Sequence, residues 1–411
     1  MKRDMREKAG FWGGVITGLL IALALVFFLL FGESVHNLIS GKGFVSRNDS
    51  TILTPEVREK VDTLNTFIDN YYLDYQEDDR SGETPEDRAE GMYKGLVASL
   101  NDRFSAYYSE KEYSRMMESN KGSFDGIGVL IIQNEQGFFE ISGFSGEDSS
   151  AKSVGVQVGD LFYSVEGEPV SQMDMSDLID KVRGKSGTSV KITFLRGEDM
   201  EKVEFDIPRK RIEAKTVSGD MLEKDTGYII VASFDDITVS QFEDALSDLK
   251  ARGMKRMILD LRGNGGGMVD VAVKIADHFI GTGVVTYTLD SEGKRLDYNA
   301  ITPEAIDVPL VVLVDKNSAS ASELLTGAIK DYGLGTVVGT ETYGKGLVQN
   351  VYRLDDGSAV KLTNAKYYTP NGINIQGTGI EPDVYVEFDP DAYEKGVDNQ
   401  RDKAMEVLDG K

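Results

Sequence analysis

The sequence predicts a multi-domain α/β chain, with an N-terminal transmembrane helix, a helical segment, a small β domain and a layered α/β core. Three observations carry this. An uncharged apolar run, Phe11 to Phe31, stands near the start of the chain. Short β-type runs separated by glycine fill about 104–208, and from about Ala214 onward strands and helices alternate. The length of 411 residues leaves room for two or three domains at roughly 100 to 200 residues each.

Composition narrows the chemistry. The chain carries 69 Asp plus Glu against 45 Lys plus Arg, a formal charge of −24. That balance disfavours a binder that tracks nucleic-acid phosphates, so no nucleic acid is expected as a partner. With no cysteine, a thiol nucleophile, a cysteine-ligated cluster and a cysteine zinc site are impossible. Only two histidines, His36 and His278, exist to serve as an imidazole base. No metal or other cofactor is expected.

The run from Phe11 to Phe31 is long enough, at about 1.5 Å per helical residue, to cross a hydrocarbon core. Lys2, Arg3, Arg6 and Lys8 precede it, so the positive-inside rule puts the N-terminus in the cytoplasm and the rest of the chain outside. A cleaved signal peptide is the alternative. The run exceeds a usual apolar region of about 7 to 15 residues, and Gly32-Glu33-Ser34 offers no Ala-x-Ala-like site, which favours an uncleaved anchor. A polar tether covers 32–53.

Helical spacing then appears. Val57, Val61, Leu64, Phe67, Ile68 and Tyr71 recur at three and four, with Pro55 where a first turn accepts proline. After a polar break from Gln76 to Asp87, a second helix carries Met92, Leu96 and Leu100. These read as packing or oligomerisation helices, so a homo-oligomer is among the expected partners.

In the β region, strands are expected at Val129–Ile132, Phe138–Ile141, Asp160–Val165 and Val190–Phe194, with a helix from Ser176 to Arg183. Gly126-Ile127-Gly128-Val129 puts small residues before a strand, where backbone amides can converge on a carboxylate; an ordinary turn is the commoner meaning. Gly155 to Asp160 followed by Glu166 to Val170 is more distinctive, and with it the segment resembles a PDZ domain. The resemblance implies an edge-strand groove for an extended peptide, with the amides of Ile127, Gly128 and Val129 on its carboxylate. Leu178, Ile179 and Val182 are candidates for the helical wall, and spacing does not say which of them face the groove.

In the α/β region, strands Gly227–Val231 and Arg256–Leu261 bracket a helix, Val239–Ala251. Arg262-Gly263-Asn264-Gly265-Gly266-Gly267 then leads into a helix from Val269 to Phe279. This run lacks both nucleotide-loop spacings, which leaves an oxyanion hole or a structural turn. Strand Pro309–Val314 runs into Asn317-Ser318-Ala319-Ser320-Ala321-Ser322-Glu323 and a helix to about Tyr332. A serine at such a turn suits a nucleophile, but Ser320 and Glu323 also have capping-box spacing, which local pattern alone favours. His36 lies in the tether and His278 within a helix, so a base would have to be a lysine. Lys345, between Gly344 and Gly346 among largely uncharged residues, is the candidate; on spacing alone a surface lysine would be the commoner reading.

The combination is specific. The serine turn, Tyr343-Gly344-Lys345-Gly346 with Gln349, and Thr369-Pro370-Asn371-Gly372, Ile375-Gln376, Gly379-Ile380 and Pro382-Asp383 together resemble the carboxyl-terminal processing peptidases, or tail-specific proteases. The resemblance covers nearly everything after Thr54. It implies a PDZ domain at 104–208 and a protease core at 209–390, between a helical segment at 54–103 and a C-terminal tail at 391–411. It implies Ser320 as nucleophile and Lys345 as general base. Gln349 would orient the lysine, one turn on if the stretch is helical. The oxyanion donors would be the amide of Gly266 or Gly267 and that of Ala321. Where the family commonly has Asn-Pro-Gly-Gly, this chain has Gly265 in the proline position, leaving open which glycine amide points inward.

The expectation is therefore a membrane-anchored serine endopeptidase cleaving extracytoplasmic proteins that expose apolar C-terminal tails. The alternative is a catalytically inactive, membrane-tethered PDZ scaffold. A penicillin-binding-type acylase finds Ser-x-x-Lys spacing in Ser149 to Lys152 but no Lys-Thr-Gly partner, and is set aside.

Overall fold

The computed structural model describes residues 52–73, 84–134, 136–146, 149–302 and 304–410. The expected anchor at Phe11–Phe31 and its tether up to residue 51 lie outside them. Among the described residues no helix is long and apolar enough to cross a membrane. The chain divides into two compact units, one holding the described residues up to Arg88 together with Arg353–Gly357, the other Ala89–Tyr352 and Ser358 onward.

Helix α1, Pro55–Tyr71, starts where predicted, with proline in the first turn and the Thr54 hydroxyl accepting from the Val57 amide. Its apolar stripe stays in the open, Leu64 and Phe67 included. Helix α2 is Pro85–Ala98.

In the second unit, β1 (Ala106–Tyr108) and α3 (Glu110–Asn120) precede a small sheet domain. Its strands are β2 (Ser123–Gly126), β3 (Val129–Gln133), β4 (Phe139–Phe144), β5 (Leu161–Val165), β6 (Glu168–Pro169), β7 (Ser189–Arg196), β8 (Glu201–Pro208) and β9 (Lys210–Glu213). Helices α4 (Ser150–Val154) and α5 (Met175–Val182) complete it. The sheet runs β3-β4-β5-β7-β8, so β3 is an edge strand, while β2 pairs with β9. Ile141, Phe162, Val165, Leu178, Ile192 and Phe194 form its core. The Gly159-Asp160 phrase has a structural meaning here. Asp160 is buried and takes a two-pronged bond from Arg196, 2.7 Å at each oxygen, while accepting from the Gln157 amide.

The α/β core contains β10 (Val217–Leu222), β11 (Thr226–Val231), α6 (Thr238–Ala251), β12 (Arg256–Asp260), α7 (Val269–Ile280), β13 (Gly283–Asp290), β14 (Arg295–Ala300), β15 (Leu310–Val314), α8 (Ala321–Asp331) and β16 (Thr336–Gly339). After it come β17 (Leu347–Arg353), β18 (Ala359–Tyr368), β19 (Val384–Tyr385), α9 (Pro390–Glu394) and α10 (Asn399–Asp409). The main sheet is ordered β10-β11-β12-β15-β16-β19, parallel from β11 onward. Every residue of β15 is buried, as a central parallel strand covered on both faces requires. Helices α6, α7 and α8 contribute Phe242, Ile275 and Leu325 to one layer of core. On the other face α10, which the sequence reading did not identify as a helix, sets Ala404 and Leu408 against Ile258, Leu313 and Val338. A second sheet, β1-β18-β13-β14 with β17 on β18, completes the core.

Sheet order decides where the chemistry collects. The glycine turn follows β12, the serine turn follows β15 and the lysine loop follows β16, and these three strands are parallel neighbours. Their loops therefore leave the same carboxyl edge side by side, where open α/β sheets hold their ligands.

Candidate active site

Ser320 stands at the N-terminus of α8 with φ 55° and ψ −114°, a conformation that a non-glycine residue adopts only under constraint and that costs about 1–3 kcal/mol. Its neighbours hold it there. The Ala319 amide and the Ser322 hydroxyl both donate to the Asn264 carbonyl oxygen, at 3.0 and 2.8 Å. The Ser318 hydroxyl donates to the Leu261 carbonyl at 2.8 Å. The outer serines of the Ser-Ala-Ser-Ala-Ser run thus bind the turn to the glycine loop, and the central one, 8 % exposed, sits between two alanines.

On the other side the turn is joined to the lysine loop through Glu323. This carboxylate is fully buried and accepts from the Ser320 amide (2.8 Å), the Thr342 hydroxyl (2.6 Å), the Gly344 amide (2.7 Å) and the Lys345 amide (2.8 Å). The predicted capping box is real, with Glu323 reaching back to the Ser320 amide. The same carboxylate also ties the backbone of Ser320 to that of Lys345. Sequence reading saw only the local i, i+3 half, because the other three donors come from about twenty residues further on.

Lys345 is half-buried, and its ammonium nitrogen lies 4.8 Å from the centre of the Phe104 ring. Burial is the main force holding its pKa below the ordinary lysine value; the positive charges of Lys361 and Arg103 add to it, and Glu323 works against them. The glycines around it are required by close approach. A side chain at Gly346 would lie 2.6 Å from the Gln376 amide nitrogen, and that amide's own side chain accepts from the Gly346 amide at 2.9 Å. With the Ile380 amide donating to Thr342 Oγ1 at 2.7 Å, the Ile375–Ile380 stretch braces the lysine loop from behind.

Gly266 presses against the serine turn: a Cβ there would fall 2.7 Å from the Ala319 carbonyl oxygen and 2.9 Å from Ser320 Cβ. Its amide donates to Asn264 Oδ1 at 2.8 Å. The Gly267 and Ala321 amides have no such partner among the described residues, Ala321 because it is the first residue of a helix. For Gln349 the helical condition is not met. It lies on β17, not on a helix, and its Nε2 donates to Thr363 Oγ1 of β18 at 3.2 Å. His278, on α7, faces Glu243 at 3.4 Å. Ser149 of the Ser-x-x-Lys stretch caps α4 through the Lys152 amide.

Against known proteins, residues 225–386 match the model of peptidase family S41 and residues 145–196 that of the PDZ domain. A carboxy-terminal-processing protease of Bartonella bacilliformis is 33% identical over 75% of this chain and 72% of its own length. The carboxy-terminal processing protease CtpA of Bacillus subtilis is 31% identical over 94% of this chain and 78% of its own. The chain belongs to the carboxyl-terminal processing peptidases, peptidase family S41. Among solved structures, a photosystem II D1 C-terminal processing protease aligns over 80% of this chain and 86% of its own, with 26% identity and a TM-score of 0.47.

As a carboxyl-terminal processing serine protease with a PDZ domain, the protein handles peptide chains, and its second candidate surface fits that. A groove of about 340 Å³ runs between the edge strand β3 and helix α5, and Ile127, Gly128, Val129, Ile179 and Val182 line it. The structure separates the helical candidates that spacing left together: Leu178 is fully buried in the domain core, Ile179 faces the groove, and Val182 contributes to both.

Proposed function

We propose that this peptidase is a membrane-anchored serine endopeptidase working through a Ser320–Lys345 dyad. Neutral Lys345 takes the Ser320 proton, Ser320 attacks a peptide carbonyl, and the lysine returns the proton to the leaving amine. Water then releases the acyl-enzyme with the same lysine as base. Gln349 orients the lysine. The amides of Gly267 and Ala321 receive the oxyanion, the Gly266 amide being engaged by Asn264. The observation that supports this reading above the others is the buried Glu323, which accepts from the backbone of both proposed dyad members. The lowered pKa of Lys345 supports it as well, since a base must be unprotonated at working pH.

Substrates are extracytoplasmic proteins with exposed, apolar C-terminal tails, taken as an added strand along β3 with the tail carboxylate on the amides of Ile127, Gly128 and Val129. The membrane is reached through Phe11–Phe31 and the N-terminus faces the cytoplasm, as the apolar run and its preceding positive charges argue. Self-association through the N-terminal helices, and the domain limits 54–103, 104–208 and 209–390, belong to the same proposal.

The test is turnover of an unfolded protein with an apolar C-terminus by the full chain. Ser320→Ala and Lys345→Ala should each lower the rate by about 10³-fold or more while leaving tail-peptide binding intact. Undiminished cleavage by either variant would overturn the dyad. No cleavage by the parent chain, with tail binding retained, would favour the inactive scaffold.

A further inference from the structure

A lysine that serves as base must be neutral beforehand and must still hold the proton it takes from serine, so the group beside its nitrogen matters. A carboxylate there would pair with the ammonium and keep it charged. Glu323 is the near acid, and its oxygens are engaged by the Ser320, Gly344 and Lys345 amides and the Thr342 hydroxyl. Among the described residues no carboxylate, carbonyl or hydroxyl bonds to Lys345 Nζ; the nitrogen lies instead over the face of the Phe104 ring, 4.8 Å from its centre. Sheet pairing delivers that ring. Phe104 stands two residues before β1, β1 pairs with β18 in the register Ala106 to Lys361, and β18 pairs with β17, which begins two residues after Lys345. The Asp102 carboxylate accepts from the Phe104 amide at 3.1 Å and from the Ser105 hydroxyl at 2.6 Å, and the Thr363 amide donates to Ser105 Oγ at 3.0 Å. The loop that carries Phe104 is thus fastened both within itself and to β18.

We propose that Phe104 is a positioning residue for Lys345, its ring face holding the nitrogen and attracting the ammonium that forms when the Ser320 proton arrives. This rests on the proposed dyad and extends it to a loop more than two hundred residues away in sequence. An aromatic face suits the task by its magnitude. Its quadrupole attracts a cation far less than a buried carboxylate would, so it favours the ammonium in the transition state without abolishing the neutral amine. An aliphatic side chain would exclude water but offer the ammonium nothing. Burial remains the leading influence on the lysine. The Arg103 guanidinium, 4.6 Å from the centre of the same ring and 5.5 Å from that of Tyr343, adds a positive charge that works in the same direction as burial.

The test is steady-state hydrolysis of a short peptide by the full chain, as kcat, KM and pH profile, with 4-fluoro- or 3,4,5-trifluorophenylalanine in place of Phe104. Fluorine drains negative charge from the ring face and leaves its shape nearly intact. The acidic limb of the profile should move to lower pH in both chains, further with three fluorines than with one, since an ammonium with a weaker aromatic partner holds its proton less well. Plateau kcat should fall in the same order, with KM within about twofold. Phe104→Leu removes the face altogether and should lower kcat by about 3- to 30-fold, the rate equivalent of the attraction lost. Phe104→Tyr keeps the face and should stay within about threefold of the parent. The charged and titratable groups around the lysine, namely Lys361 on β18, Asp102 and Arg103 before β1, Glu323 on α8 and Tyr343 in its own loop, stay unchanged in all four chains. Fluorinated chains with the limb of the parent, or a leucine chain as active as the tyrosine one, would make Phe104 a mere cover against water and overturn the inference. If Lys345→Ala is then still inactive, the dyad stands without it. If Lys345→Ala cleaves at an undiminished rate, the dyad falls, and the inference falls with it.

Discussion

The two working surfaces of this protein are built on different principles. The groove of the PDZ domain is an edge strand and a helix, its polar groups supplied by backbone and its wall by Ile179 and Val182. The proposed serine–lysine site is assembled from three loops, and one fully buried carboxylate, Glu323, accepts from four donors on two of them. An edge strand can accept many extended peptides because main-chain bonds ask nothing of sequence, so tolerance is its useful property. A nucleophile and base must hold their separation closely, so the core invests buried polar groups and a strained Ser320 in one geometry. Losing one partner should therefore be ruinous in the core and graded in the groove.

The sharpest way to break that contrast is Glu323→Ala, which strands a hydroxyl and three amides in a buried place. Stability should fall by about 3 kcal/mol or more, and turnover by at least about 100-fold in whatever fraction remains folded. Thermal unfolding and peptide turnover measure the two. Near-parental values in both would mean the dyad is held by something else.

The pH profile sharpens the same point. The proposed mechanism requires neutral Lys345, so the rate should rise with pH through a pKa below the ordinary lysine value. Positive neighbours disfavour the ammonium, so removing one raises that pKa. Lys361→Gln should shift the limb upward, and Arg103→Gln, which is exposed and screened by salt, by less. A downward shift would contradict the electrostatic account.

In the groove, Ile179→Glu should raise the Kd of an apolar C-terminal peptide by about tenfold, while hydrolysis of a short peptide that bypasses the groove stays within about twofold. Calorimetric titration of the Ser320→Ala chain reads the first. The smallest effect belongs to Gly265→Ala. Unlike Gly266, Gly265 lacks a positive φ and has open space where a Cβ would point, so stability should stay within about 0.5 kcal/mol of the parent or rise slightly.

Much of this was legible in the sequence. The period of Val57 to Tyr71 located α1 and the glycine-bounded runs located β3, β5 and β7, because local spacing reports local structure. Strands such as β14 and β18, with Tyr, Thr, Lys and Asn alternating, bury too little for a run of apolar residues to betray them. The spacing of Gln349 from Lys345 implies a shared face only if the backbone is helical, and β17 is a strand.

By itself the sequence singled out the residues that the proposed chemistry would use: the central serine of its turn, a lysine flanked by glycines, glycine-rich loops at two strand ends, and no cysteine to compete. Only the tertiary structure decided that β12, β15 and β16 lie side by side. That adjacency gives Glu323 its partners in the loop after β16 and sets the Ala319 amide and the Ser322 hydroxyl on the Asn264 carbonyl of the loop after β12. The reason is physical. A hydrogen bond's partner is fixed by where a strand falls in the sheet order, and sheet order joins residues that no sequence window contains.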